Sequence, residues 1–239
     1  MEILNDILGY QNRKIYQDNN YFSFSLDSVL LANFVSFRMR DKRLLDMCSG
    51  NVVIPLILSL KSDILMDAVE LQNEVFSLGK KSISYNKLEN QIHLFCDDVK
   101  NYSFNHLEYY DVITCNPPYF KNHSPNVFSQ KTLARHEISL NLEEFLNCAS
   151  KMLKNGGNLF FVHRADRFEE ILLLLHRYHL SPKRVQLVYP NFYKKCLLVL
   201  IEAQKCGKIG MKFDSPFILY NEDGTNSIQY QKIIDGVIE

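Results

Sequence analysis

Several features are missing from this 239-residue chain, and each absence narrows what it does. Its 27 basic and 27 acidic residues leave no net charge, so contact with nucleic acid has to rest on local patches rather than a global field. No apolar run approaches the ~18 residues of a membrane span; stretches such as 52–58 and 171–175 fall well short of it. Residues 1–9 carry Glu2 and Asp6 but no basic group, unlike a secretory leader, and we expect a cytoplasmic protein away from the membrane. The six cysteines form no Cys-x-x-Cys pair and no cluster with histidine, which argues against zinc and against a disulfide framework. Cys48, Cys96 and Cys115 fall in or beside predicted strands and read as buried reduced thiols. The Gly-x-Gly-x-x-Gly dinucleotide fingerprint is absent, and so are linkers, repeats and low-complexity stretches. One domain over residues 1–239 is the economical expectation.

What is present centres on Asp111–Tyr119, Asp-Val-Ile-Thr-Cys-Asn-Pro-Pro-Tyr. The apolar first half reads as a buried strand of a parallel sheet. Two successive prolines cannot continue that strand, because they donate no backbone hydrogen bond and hold φ near −65°. The chain therefore leaves the sheet at a carboxyl end, where open α/β sheets bind ligands. It presents there the Asn116 amide, the Pro117 carbonyl stiffened by Pro118, and the Tyr119 ring. An exocyclic amino group is a poor nucleophile, since its lone pair is delocalised into the neighbouring π system. Two fixed acceptors can take its N–H hydrogens and turn the lone pair toward an electrophile.

Earlier segments converge on the same edge. Residues 1–20 are polar and read as irregular. Asp27 or Ser25 is a candidate N-cap for a short apolar helix over 29–35, and the segment 1–40 is expected to cover the ligand pocket. Arg43–Cys48 reads as a strand, followed by a turn at Ser49-Gly50-Asn51 and a helix over about 52–60 with Pro55 in its first turn. The strand 64–69 ends in Glu70, 24 residues after Asp46 (70 − 46), the spacing at which a carboxylate reaches ribose hydroxyls. A helix over 73–85 and a strand over 92–96 follow, closing with Asp97-Asp98, where Asp98 can accept from an adenine amino group. Three strands ending in acids and a fourth ending in Asn-Pro-Pro-Tyr place four ligand-grade positions on one sheet edge.

Residues 120–140 form a long connection with Lys121, His123, Lys131, Arg135 and His136 among aromatics. Asn141 with Glu144 has the form of a capping box. A strand over 158–163 follows, then a helix capped by Asp166 and Glu169, and an antiparallel hairpin made of 184–189 and 196–203.

These motifs resemble the class I S-adenosylmethionine (SAM)-dependent methyltransferases, in particular the group that methylates amino nitrogens. Phe22-Ser23-Phe24-Ser25-Leu26-Asp27, Leu45-Asp46-Met47-Cys48-Ser49-Gly50-Asn51, Thr114–Phe120, Ala134-Arg135-His136-Glu137 and Phe161-Val162-His163-Arg164 together resemble the bacterial valine-tRNA adenine-37 N6-methyltransferase family over roughly residues 15–225. The resemblance implies a Rossmann-like α/β fold, a seven-stranded mostly parallel sheet with a terminal antiparallel hairpin. It implies SAM as cofactor, held by Phe24, Asp46, Cys48, Gly50, Glu70, Asp98 and Asn116. It implies catalysis by Asn116, Pro117, Pro118 and Tyr119, with no metal, and substrate contacts from Tyr119, Phe120, Arg135 and Arg164. The partner implied is tRNA, its phosphates met also by Lys183, Arg184, Lys194 and Lys195, and the expected state is a monomer. One departure stands out: family members read Gly-Asn-Gly where this chain has Gly50-Asn51-Val52, which sets a side chain against the cofactor or the helix packing. Alternatives within the fold are a protein glutamine, an rRNA guanine or a DNA adenine as methyl acceptor. Outside it stands a non-catalytic RNA-binding module.

Overall fold

A computed structural model of the chain describes residues 1–10, 13–18, 24–118 and 140–238. The central sheet contains β3 (Arg43–Met47), β4 (Leu65–Glu70), β5 (Ile92–Cys96), β6 (Tyr110–Cys115), β7 (Leu153–Arg164), β8 (Leu180–Tyr189) and β9 (Leu198–Lys205). Their order is β5-β4-β3-β6-β7-β9-β8, parallel through β7, with β9 antiparallel to both β7 and β8. This is the mostly parallel sheet with a terminal hairpin that the sequence leads one to expect, extended by two short strands. These are β10 (Lys212–Phe213) and β11 (Phe217–Ile218), which both pair with β8.

Side chains alternate across the sheet, so each strand feeds two cores. Leu44, Met66, Ala68, Val112 and Phe160 face α1 (Leu26–Phe34) and α2 (Val53–Leu58). Leu45, Val69, Ile113, Leu159 and Phe161 face the opposite layer, which includes Phe145 and Leu146. Each such side chain withdrawn from water is worth roughly 2 kcal/mol. The remaining helices are α3 (Asn73–Tyr85), α4 (Val99–Phe104), α5 (Leu142–Met152), α6 (Phe168–Arg177) and α7 (Ile228–Ile234). Asn141 and Glu144 form the expected capping box, closing α5 with reciprocal bonds of 2.9 and 3.0 Å. No helix among the described residues is long and apolar enough to cross a membrane.

Several expectations are corrected. Residues 1–20 are not irregular: β1 (Glu2–Asp6) and β2 (Lys14–Asp18) pair as an antiparallel hairpin. Polar side chains hid an alternation in which Ile15 is fully buried, and β2 docks on α3 through Tyr16 N–H to Ser82 Oγ at 2.9 Å. Asp166 does not cap α6, whose N-cap is Arg167 without a side-chain bond; Asp166 instead pairs with Arg164. β7 starts at Leu153 rather than at 158, because Gly156-Gly157 runs within the strand beside a register shift instead of ending the helix in a turn. The thiols are unpaired as expected, yet only Cys115 of the three near strands is buried; Cys48 is half-buried and Cys96 exposed.

Candidate active site

Parallel strands deliver their carboxyl ends to one edge, and the turn from β3 into α2 crosses it. Cys48, Gly50 and Val52 all sit in left-handed backbone, with φ of 55°, 58° and 66°. Glycine meets that demand at position 50, where an added Cβ would find no protein atom within 4 Å. The turn is stitched to β4: Ser49 N–H donates to the Val69 carbonyl and Gly50 N–H to Glu70 Oε2, both at 2.9 Å. The other Glu70 oxygen accepts from Gln72 N–H at 2.8 Å, and burial raises its pKa. The carboxylate thus holds the rim of the turn in place. With two oxygens and about four lone-pair sites, it keeps acceptor capacity beyond those two bonds.

Val52, the departure from the glycine pattern, is fully buried and directs its bulk at α3. A Cβ on Gly79 of α3 would lie 3.4 Å from Val52 Cγ1, an ordinary contact, and 2.7 Å from Leu94 Cδ2, so the glycine makes room for Leu94 while Val52 packs beside it. The side chain packs in the core rather than at the sheet edge.

Asp46 is sealed beneath this turn with no solvent exposure. Thr114 Oγ1 donates to its Oδ1 at 2.6 Å, and the Ser49 hydroxyl lies buried beside the carboxyl. Burial pushes the Asp46 carboxyl up to about 7, with the Thr114 and Ser49 hydroxyls opposing the rise and the Glu70 charge adding to it. Asp98 is the N-cap of α4, accepting from Lys100 N–H at 2.8 Å.

Asn116 leaves β6 half-buried, followed by a buried Pro117 and an exposed Pro118. Its Nδ2 donates to Ser28 Oγ at 2.8 Å and to Ser25 Oγ at 3.2 Å, both from the start of α1. Two hydroxyls on the nitrogen end orient the amide, so its Oδ1 acceptor faces away from α1. Ser25 and Ser28 escaped sequence reasoning as functional groups. The only signal was their placement in the polar-aromatic segment ahead of the first apolar helix, where Ser25 looked like a cap and makes no capping bond. The N-terminal hairpin touches the edge too, since Asn51 Nδ2 donates to the Tyr16 carbonyl at 3.3 Å.

The structure thus joins Asp46, Gly50 and Glu70 around one turn and sets Asn116 at the end of the adjoining strand. Phe24 packs against the core beside α1. Tyr119, Phe120 and Arg135 lie outside the described residues. Of the basic groups, Arg164 reaches the carboxyl edge but is paired with Asp166. Beside it, burial pushes His163 down to about 4, so its ring is neutral at pH 7. Arg184 is not a substrate contact: it bonds Glu202 at 3.0 Å, covers the Phe34 ring at 4.1 Å and ties α1 to the sheet. Lys183 donates to the Lys208 carbonyl near the opposite sheet edge. Both were misassigned because exposed charge and structural charge look alike in sequence. No set of three His, Cys, Asp or Glu side chains that could hold a metal occurs among the described residues.

The family model for the methyltransferase small domain matches residues 13–176. The chain belongs to the methyltransferase small domain family. Among relatives of this family member, the tRNA1(Val) (adenine(37)-N6)-methyltransferase of Parabacteroides distasonis is 26% identical over 85% of this chain and 86% of its own. The protein of the same name from Cytophaga hutchinsonii is 24% identical over 82% of both. Among solved structures, a predicted O-methyltransferase from Agrobacterium tumefaciens superposes with a TM-score of 0.70 at 17% identity, covering 88% of this chain and 96% of that one. TYW2 from M. jannaschii, solved in complex with AdoMet, gives 0.58 at 14% identity over 85% of each chain. These likenesses establish the fold of the methyltransferase small domain chain as Rossmann-like class I.

Proposed function

We propose that the protein transfers a methyl group from SAM to the exocyclic N6 of an adenine in tRNA, adenine 37 of a valine tRNA being the substrate. The observation that carries this reading is Asn116, held by two serine hydroxyls at the carboxyl end of β6 and followed by two prolines. The names of the relatives support the choice of acceptor. On this reading the protein works in the cytoplasm as a monomer.

SAM, when bound, supplies a methyl group on a positively charged sulfur. The residues on the edge suit such a molecule: a carboxylate at Glu70 for the ribose hydroxyls, open space above Gly50, and lone pairs on Asp98 beyond its capping bond. Asn116 Oδ1 and the Pro117 carbonyl accept the two N–H hydrogens of the target amine, which turns its lone pair out of the ring plane. Ser25 and Ser28 keep the amide from rotating, so the acceptor geometry is set before the substrate arrives. Tyr119 stacks on the base turned out of its neighbours. The methylated nitrogen releases a proton to solvent.

The test is methyl transfer to transcribed valine tRNA, read as N6-methyladenosine by mass spectrometry of digested nucleosides. Asn116→Ala is expected to lower turnover about 10²–10³-fold, as loss of one preorganised polar group does, while SAM affinity stays within a few-fold. Equal loss of turnover and cofactor binding would overturn the role given to Asn116.

A further inference from the structure

The turn between β8 and β9 carries an unusual surface. Phe192 and Tyr193 are 79% and 71% exposed, the two most exposed aromatic side chains among the described residues, and they are adjacent. Their rings meet edge to face, with centroids 5.8 Å apart and planes at 87°. The turn is braced from within. Tyr193 N–H donates to Asn191 Oδ1 at 3.1 Å, Lys194 N–H donates to the Asn191 carbonyl at 3.2 Å, and the Tyr193 hydroxyl donates to Glu222. Lys194 and Lys195 follow directly, both exposed, and neither has an ion-pair partner among the described residues.

Topology puts this turn on the site edge. β9 runs antiparallel to β7, with Leu198 paired to Arg164, so the connection 190–197 emerges where β7 ends. From β6, which carries Asn116, the hairpin strands are two and three steps away, about 10–15 Å along the sheet edge. Exposing two large apolar rings to water serves no packing purpose, and such patches mark interaction sites. Rings beside unpaired cations on a rigid turn form the surface that single-stranded nucleic acid takes: bases stack on the rings and phosphates meet the ammonium groups. A protein partner is less well served, because interfaces between proteins are depleted in lysine at their centres.

We propose that Phe192, Tyr193, Lys194 and Lys195 form a stacking platform for an unpaired nucleotide flanking the target adenine, so that this turn holds the RNA loop while Asn116 holds the reacting base. The inference rests on the reading of RNA as the methyl acceptor and adds a binding subsite to it.

The test is fluorescence anisotropy of the full chain with a fluorescein-labelled anticodon stem-loop of the valine tRNA, across a salt series, alongside methyl transfer to the same RNA. Phe192→Ala with Tyr193→Ala is expected to weaken binding about tenfold or more without changing the salt slope, and Phe192→Trp to restore most of it. Lys194→Ala with Lys195→Ala is expected to weaken binding and lower the slope by up to about 2. A general structural defect would not separate those two signatures, and the melting temperature of each variant serves as a control. If the aromatic double variant binds within twofold of the unaltered protein, while that protein binds and methylates the RNA, the platform is overturned and the acceptor reading stands. If the unaltered protein neither binds nor methylates the RNA, both fall.

Discussion

Asp46 and Asp67 occupy neighbouring strands, both buried, and their surroundings differ sharply. Asp67 in β4 accepts from Tyr110 Oη at 2.8 Å and lies 3.6 Å from the Arg43 guanidinium and 3.4 Å from His93. Tyr110 is in turn bonded to Tyr102 at 2.8 Å, so that face of the sheet holds a connected polar network. Asp46 in β3 has the Thr114 hydroxyl on one oxygen and the Ser49 hydroxyl beside it, beneath a turn with three left-handed residues. The two carboxyls lie one register step apart on opposite faces of the sheet, Asp67 level with Leu45 and Asp46 level with Ala68, and the Asp67 face holds the fuller network. The contrast marks Asp46, beneath the turn from β3 into α2, as the less fully bonded of the two buried carboxyls.

Three substitutions press on that contrast. Asp67→Ala leaves the Tyr110 hydroxyl with Tyr102 alone and removes the carboxylate beside Arg43, and is expected to cost about 3 kcal/mol in denaturant unfolding. A loss under about 1 kcal/mol would show that the network is not holding that face together. Asp46→Asn tests the opposite prediction. The folded-state pKa of about 7 lies above the unfolded value near 3.9, so the native state binds more protons than the unfolded one between those values. Stability contributed by the protonated form is present below pH ~4 and lost as pH rises toward 7. Asparagine mimics the protonated acid, so the variant should be roughly 4 kcal/mol more stable at pH 8, near neutral at pH 4, and flatter across that window. Parallel pH profiles for the two proteins, measured by chemical denaturation, would rule this out.

Val52→Gly has the smallest expected effect. Relief of left-handed backbone returns about 1–2 kcal/mol, whereas losing the buried isopropyl group and adding glycine freedom cost about 3. The net loss should be about 1 kcal/mol. Val112→Gly, equally buried in ordinary extended backbone, should lose about 3 with no strain to relieve. Equal losses at the two positions would mean that the turn stores no strain.

Much of this architecture was legible beforehand. The α3 span, the β5 span and the capping box of α5 follow from apolar periodicity and cap residues, which are local signals. The β1–β2 hairpin was not legible, because its polar strands gain their burial only by docking on α3, 66 residues on from Tyr16. Arg184 read as a surface cation because nothing local reveals that Glu202, Phe34 and Asp214 surround it. Ser25 and Ser28 were invisible as supports for Asn116, lying 91 and 88 residues away in the chain.

Residue order alone determined the strand that ends in Asn116-Pro117-Pro118, the acids that close its neighbours, and hence the edge on which ligands gather. Each of those follows from side-chain periodicity and from proline's missing donor, properties that act within a few bonds. Tertiary structure decided which end of the Asn116 amide is held, where the Val52 side chain goes, and which of two buried aspartates is the more fully bonded. Those depend on atoms brought within hydrogen-bonding or van der Waals distance by the packing of distant segments, and no local pattern encodes them.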